Sequence, residues 1–145
     1  MIALLQRVST ANVLVDNEEI GKINKGLLVF LGVEKGDGQE QAERLLERIL
    51  GYRIFEDNQG KMNLSLKDIN GEILLVPQFT LAADTNKGMR PSFSSAAVPE
   101  EGRKWFDFVV TKAEHALVKV ETGRFGADMK VGLVNDGPVT FWLKV

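Results

Sequence analysis

The chain has 145 residues, 44% hydrophobic and 26% charged, with 18 basic against 20 acidic side chains. That is enough chain for one globular domain with its own core, and a net charge of −2 argues against a protein that coats a long duplex through its phosphates. With no cysteine and a single histidine, His115, disulfides, thiolate zinc sites and a Ser-His-Asp triad have almost nothing to work with. No metal and no cofactor is expected.

Met1–Arg7 opens on an apolar run without a basic segment before it, which reads as a strand and not as a signal peptide. Apolar runs stay far short of the ~20 residues of a membrane helix, so the cytoplasm is the expected location. Ile2–Val8 and Ala11–Val15 carry β-branched alternation broken by Ser9-Thr10, predicting one long bent strand or two short ones. A turn at Asp16-Asn17-Glu18 leads into a strand over Glu19–Asn24, and Lys25-Gly26 turns again. Leu27–Val33 is a continuous apolar run, short enough to be a strand buried on both faces.

Asp37 and Glu40 are spaced as a capping box, with Asp37 as N-cap. Ala42, Leu45, Leu46 and Ile49 follow at helical spacing, and Gly51 is the expected stop. Arg53–Glu56 reads as a short strand, Asp57–Gly60 as a turn, Lys61–Asp68 as irregular. Glu72–Val76 is a strand that delivers Pro77-Gln78-Phe79-Thr80-Leu81 at its end. Ala82–Val98 lacks any sustained period, and a loop of that length inside a domain is usually functional. Pro99-Glu100-Glu101 starts a second helix, with proline in the first turn and acids at the positive dipole end. Its buried face is predicted at Trp105, Phe106, Val109, Val110, Ala113 and Leu117, and His115 is expected on its surface. Leu117–Thr122 is a strand, Gly123–Asp128 a loop, and Met129–Asn135 and Val139–Val145 are the closing strands. Between those two, Gly137-Pro138 reads locally as a hairpin turn. The order predicts a single α+β domain spanning 1–145, with a curved, barrel-like mixed sheet and two main helices.

Thr80 is the one nucleophile candidate placed at a strand end, with no histidine near it in sequence. The N–H groups of Phe79 and Thr80 could instead polarise a carbonyl, or Thr80 could be there for its β preference alone. Lys87, Arg90, Arg103, Lys104, Arg124 and Lys130 are scattered through the second half, as solvating surface or as a local patch.

Gln78-Phe79-Thr80-Leu81 and Asn135-Asp136-Gly137-Pro138-Val139-Thr140 together resemble the signatures of the D-aminoacyl-tRNA deacylase family, over nearly the whole chain from Gln6-Arg7-Val8 onward. The resemblance implies hydrolysis of the ester that joins a D-amino acid to the 3′-terminal adenosine of tRNA. It places Gln78, Phe79 and Thr80 around the adenosine and the carbonyl, with main-chain groups making much of the contact and the RNA's own 2′-OH assisting. It makes Gly137-Pro138 a cis pair that enters the other subunit of a homodimer, where its carbonyls hold the substrate amino group and leave no room for an L side chain. Arg7 matches the arginine that braces this loop. Met89–Phe93 and Thr122–Met129 also match family segments. Phe125 and Met129 either line the pocket or belong to the apolar core, and Arg90 and Arg124 can be read as bridging carboxylates. The family pattern has serine where this chain has Pro77, which removes a hydroxyl and an N–H. Glycyl-tRNA is an expected second substrate, and neither DNA nor membrane is an expected partner. A threonine-nucleophile esterase and a noncatalytic tRNA-binding module are the alternatives.

Overall fold

In the computed structural model, which describes residues 1–117 and 119–145, the first half of the chain forms β1 (Ile2–Val15), β2 (Glu18–Ile23), β3 (Gly26–Gly32), α1 (Gln39–Gly51), β4 (Phe55–Glu56), β5 (Met62–Leu64) and β6 (Glu72–Pro77). A short 3-10 helix, Phe79–Ala82, precedes α2 (Pro99–Ala116), β7 (Val120–Thr122) and β8 (Lys130–Lys144). The long strand β1 organises the sheet. Its first half runs antiparallel to β3 and its second half to β2, while β8 accompanies it from Ile2 to Leu14. Beyond β3 lie β6 and then β7, both parallel to their neighbours. The sheet curls until β2 approaches β7: a Cβ on Gly21 would stand 3.2 Å from the Thr122 carbonyl oxygen. The result is the nearly closed, barrel-like mixed sheet with two helices that the sequence predicts.

Both faces of the central strands are buried, and period 2 sorts their side chains between two cores. Leu27, Val29 and Leu31 of β3, with Ile73 and Leu75 of β6, face the helices and meet Leu45, Ile49, Phe106 and Val109. Leu28, Leu74 and Val76 point the other way, into the barrel, where they meet Val8, Val13 and Ile23. This explains the unbroken apolar run of β3, since a strand covered on one side only would alternate. Burying each such leucine contributes about 1.5–3 kcal/mol.

Several local expectations are corrected. The N-cap of α1 is Gly38, not Asp37, and Gln41, not Glu40, reaches back to it, accepting the Gly38 N–H at 2.9 Å. Asp37 is engaged elsewhere: its carboxylate accepts the Glu34 N–H at 2.7 Å and pairs with the terminal ammonium of Met1 at 2.7 Å. Gly51 is the last helical residue, and the extended Tyr52 ends the helix. Lys61–Asp68 is not wholly irregular, because β5 pairs with β4 as a separate two-stranded sheet. Of the strand predicted over 117–122 only β7 forms, and residue 118 lies outside the described residues. Trp105 and Val110 are half-buried rather than core, and Gly102 takes a place on the buried face of α2.

The largest correction concerns the C-terminus. Gly137-Pro138 is not a hairpin turn. Lys130–Asn135 and Thr140–Lys144 both run antiparallel to β1, so the chain keeps its direction through the pair. The pairing register shifts between Gln6 and Val8 and again between Val8 and Thr10, so the Asp136–Val139 segment bulges out of one continuous strand. The Gly137-Pro138 peptide bond is cis. A β-bulge takes up residues without reversing the chain, an outcome that the turn preference of Gly-Pro cannot distinguish from a hairpin.

Candidate active site

Strand β6 ends at Pro77, paired with Leu31 of β3. The Gln78 N–H then donates to the Leu31 carbonyl at 2.8 Å, which pins the following turn to the sheet. Within that turn Leu81 N–H donates to Gln78 O at 3.2 Å and Ala83 N–H to Thr80 O at 3.1 Å. The N–H groups of Phe79 and Thr80 open the turn and find no hydrogen-bond partner among the described residues. Unpaired donors are common at the start of a helical turn; here they flank a cavity.

That cavity, of about 390 Å³, lies between the end of the sheet, α2 and the long loop. Gln78 and Phe79 line it from the turn, Phe93 from the loop, Phe106 from α2 and Phe125 from the segment after β7. Phe79 is 59% exposed, and its ring meets Phe93 with centroids 5.1 Å apart. Gly102 permits the approach of Phe125, whose Cζ would be 3.3 Å from a Cβ placed there. Apolar, aromatic-lined space with a few polar groups at its mouth is what a planar ligand requires.

Thr80 is exposed, and its hydroxyl oxygen accepts a hydrogen bond from the Gln78 side-chain amide. No histidine or carboxylate is bonded to it, and His115 is exposed near the far end of α2. Among the described residues no three His, Cys, Asp or Glu side chains gather as a ligand set for a metal. Gln78, Phe79, Thr80 and Phe125 offer no titrating group; the polar groups of this turn are the unpaired Phe79 and Thr80 N–H groups, the Gln78 amide and the Thr80 hydroxyl.

The second motif stands apart. Gly137 and Pro138 are exposed and do not line the cavity of their own chain. Arg7, only 7% exposed, holds the bulge from within: Nε donates to the Asp136 carbonyl at 3.0 Å and Nη1 to the Ile54 carbonyl at 2.8 Å. Asn135 holds it from the strand. Its Oδ1 accepts the Val139 N–H at 3.0 Å, while Nδ2 donates to Gln6 Oε1 at 3.0 Å and Thr140 Oγ1 at 2.9 Å. Gly137 sits at φ 136°, where a Cβ would come within 3.0 Å of the Val139 nitrogen. A side chain there is excluded by the backbone itself.

The structure therefore brings Gln78, Phe79 and Phe125 together at the cavity, with Thr80 beside them. It keeps Gly137 and Pro138 as a separate exposed pair, braced from within by the buried Arg7. Met129 lines neither; it packs against the barrel core, and its sulfur accepts the Arg124 N–H at 3.4 Å. Phe93, Gln6 and Asn135 stand in segments quoted from the sequence, but none of the three is assigned a role there. An asparagine ahead of Gly-Pro is a signal for side-chain bonding to a bulge, whereas the Met89–Phe93 segment gives no local sign that Phe93 reaches the cavity. On the neighbouring rim, burial works against the charge of Glu34, but hydrogen bonds from Lys144 and the terminal ammonium outweigh it and hold the carboxyl below its ordinary 4.5.

A nearly closed mixed sheet carries an exposed backbone bulge and a cavity lacking acid–base residues. Residues 4–144 match the model of the D-Tyr-tRNA(Tyr) deacylase family, to which the chain belongs. It is 60% identical over 145 residues to the D-aminoacyl-tRNA deacylase of Photorhabdus laumondii, covering 100% of both chains. To that of Thioalkalivibrio sulfidiphilus it is 63% identical, covering 100% of this chain and 97% of the other. Among solved structures, one described as a c-Myc DNA unwinding element binding protein superimposes with a TM-score of 0.96 at 37% identity, covering 100% of this chain and 99% of that one. A probable eukaryotic D-amino acid tRNA deacylase shares the fold, with a TM-score of 0.82 at 18% identity, covering 99% of this chain and 98% of that one.

Proposed function

We propose that this chain hydrolyses the ester joining a D-amino acid to the 3′ end of tRNA, in the cytoplasm and as a homodimer. One observation carries the reading within the family: two unpaired amide donors, on Phe79 and Thr80, at the mouth of an aromatic cavity that has no acid–base side chain. Such donors lower the barrier by stabilising the oxyanion that forms when water attacks the ester carbonyl. The carbon–oxygen bond to the ribose then breaks, the proton from water passes to the departing ribose oxygen with help from the neighbouring 2′-OH, and D-amino acid and tRNA leave.

Chirality is read by the Gly137-Pro138 carbonyls of one subunit, projecting into the cavity of the other. The exposure of that bulge, its separation from its own cavity and its bracing by Arg7 and Asn135 support this arrangement. The carbonyls accept the substrate amino group, and an L-residue would turn its Cβ against them. Glycine has no Cβ and passes. A pocket that merely accommodates one methylene discriminates by only about 1–3 kcal/mol, so rejection by backbone is the stronger filter. Deacylation time courses on D-tyrosyl-, L-tyrosyl- and glycyl-tRNA test this directly. Cleavage of the D- and glycyl esters with L-tyrosyl-tRNA spared is expected, and comparable rates on D and L would overturn it. Activity should also survive a chelator. The DNA-binding description of one structural relative gives an alternative that the acidic balance of charge disfavours; duplex DNA that fails to inhibit the reaction would discard it.

A further inference from the structure

A second depression, of about 330 Å³, adjoins the cavity and shares Phe106 and Phe125 with it. Its character is different, for Arg103 of α2 and Arg124 of the segment after β7 both line it. Each is exposed, and neither forms an ion pair among the described residues. The Arg103 guanidinium lies 5.0 Å from the centroid of the Phe125 ring, which holds it beside the cavity. Arg124 therefore does not bridge a carboxylate, as its place in the sequence allowed. The groove's one acid, Asp107, pairs with neither arginine.

Another depression also borders the cavity, sharing Ala97, and its charged lining is mostly acidic. Glu34, Asp37 and Glu101 line it, with Lys35 as the one base. A nucleotide whose base enters the aromatic cavity must leave its phosphate outside, at one rim or another. Two unpaired guanidinium groups attract a phosphate and offer it paired N–H donors; on the other rim Glu34 and Asp37 are already paired with the Met1 ammonium and Lys144, and the carboxylates have no N–H to donate.

We infer that Arg103 and Arg124 form a phosphate-binding groove for the last nucleotides of the RNA, so that the strand leaves the cavity between α2 and β7 and away from Glu34, Asp37 and Glu101. The inference rests on the deacylase reading and adds a direction to it. The aromatic cavity supplies stacking that any base satisfies, and the arginines fix the position of the strand without reading its sequence. A chain of net charge −2 can thus hold RNA through a small local patch.

The test compares two esters, D-tyrosyl-tRNA and 3′-O-D-tyrosyl-adenosine, which lacks every phosphate. Arg103→Gln, Arg124→Gln and the double variant are assayed beside the wild type, with thermal melts to establish folding. In the double variant KM for the tRNA ester should rise about tenfold with little change in kcat. The ratio of kcat/KM between tRNA and adenosine esters should fall by the same factor. The slope of log affinity for tRNA against log salt should shrink by about 0.7 for each phosphate that is no longer neutralised. Arg103→Lys and Arg124→Lys should each recover part of the affinity. Equal losses on both esters would mean that the arginines only hold Phe125 in place, and an unchanged salt slope would mean that no phosphate is bound; either result overturns the proposal. If the wild type cleaves neither ester, the deacylase reading falls and this one with it.

Discussion

Arg7 shows how much one side chain can determine. Its guanidinium is buried between two backbone carbonyls, Asp136 O and Ile54 O, which belong to segments far apart in the chain. The nearby Asp136 carboxylate, 3.8 Å away and 54% exposed, adds little. Arg7→Met should leave both carbonyls without their donors and destabilise the fold by about 3–6 kcal/mol, since hydrogen bonds from charged groups contribute about 1.5–3 kcal/mol each. Chemical denaturation measures that change, and the chiral ratio should fall in whatever protein remains folded. Thr80 is the opposite case. Its hydroxyl accepts from Gln78 and has no base to take its proton, so Thr80→Val should fold and retain activity within about tenfold. A loss of several orders of magnitude in folded Thr80→Val would establish side-chain chemistry instead. The motif residues were legible in the sequence because they are rare types in a rare order. Phe93 was not, because only the folded loop brings it to Phe79.

At the scale of elements, periodicity carried most of the information. The stripe Ala42, Leu45, Leu46, Ile49 is buried as its spacing predicts, and the apolar run of β3 is covered on both faces. The cap of α1 was not legible because the group competing for Asp37, the terminal ammonium, comes from the far end of β1 and has no local signature. The same cluster gives a pH dependence. Glu34 accepts from the ammonium at 3.0 Å and from Lys144 Nζ at 3.0 Å, which holds its carboxyl below 4.5 despite burial. A carboxyl lowered on folding contributes stability that is fully present above its unfolded value and is lost as the pH falls through the folded one. Stability should therefore decline as the pH drops below 4.5, and Glu34→Gln should flatten that decline in acid melts. An identical acid slope in wild type and variant would remove the assignment.

The molecule as a whole places its cavity and its exposed bulge where one chain does not join them. The proposed remedy is a second copy, so sedimentation at micromolar concentration should find about twice the 16.1 kDa of one chain, and a single-chain mass would dismantle the cross-subunit filter. Fold class was legible from element order; the closing strand was not, because a bulge and a hairpin share the same Gly-Pro signal. The pairing of β1 with β8 along nearly its whole length also has a kinetic consequence. During synthesis β1 emerges first and β8 last, so for roughly 6–23 s at about 5–20 residues per second β1 lacks that partner. An unpaired strand is a template for aggregation, and pairing between segments this distant in sequence makes folding slow. A nascent chain stalled before Lys130 should stay protease-sensitive and bind holdase chaperones, and one released after Lys144 should acquire protection within seconds. Resistance in the stalled chain would show that the sheet forms without its last strand.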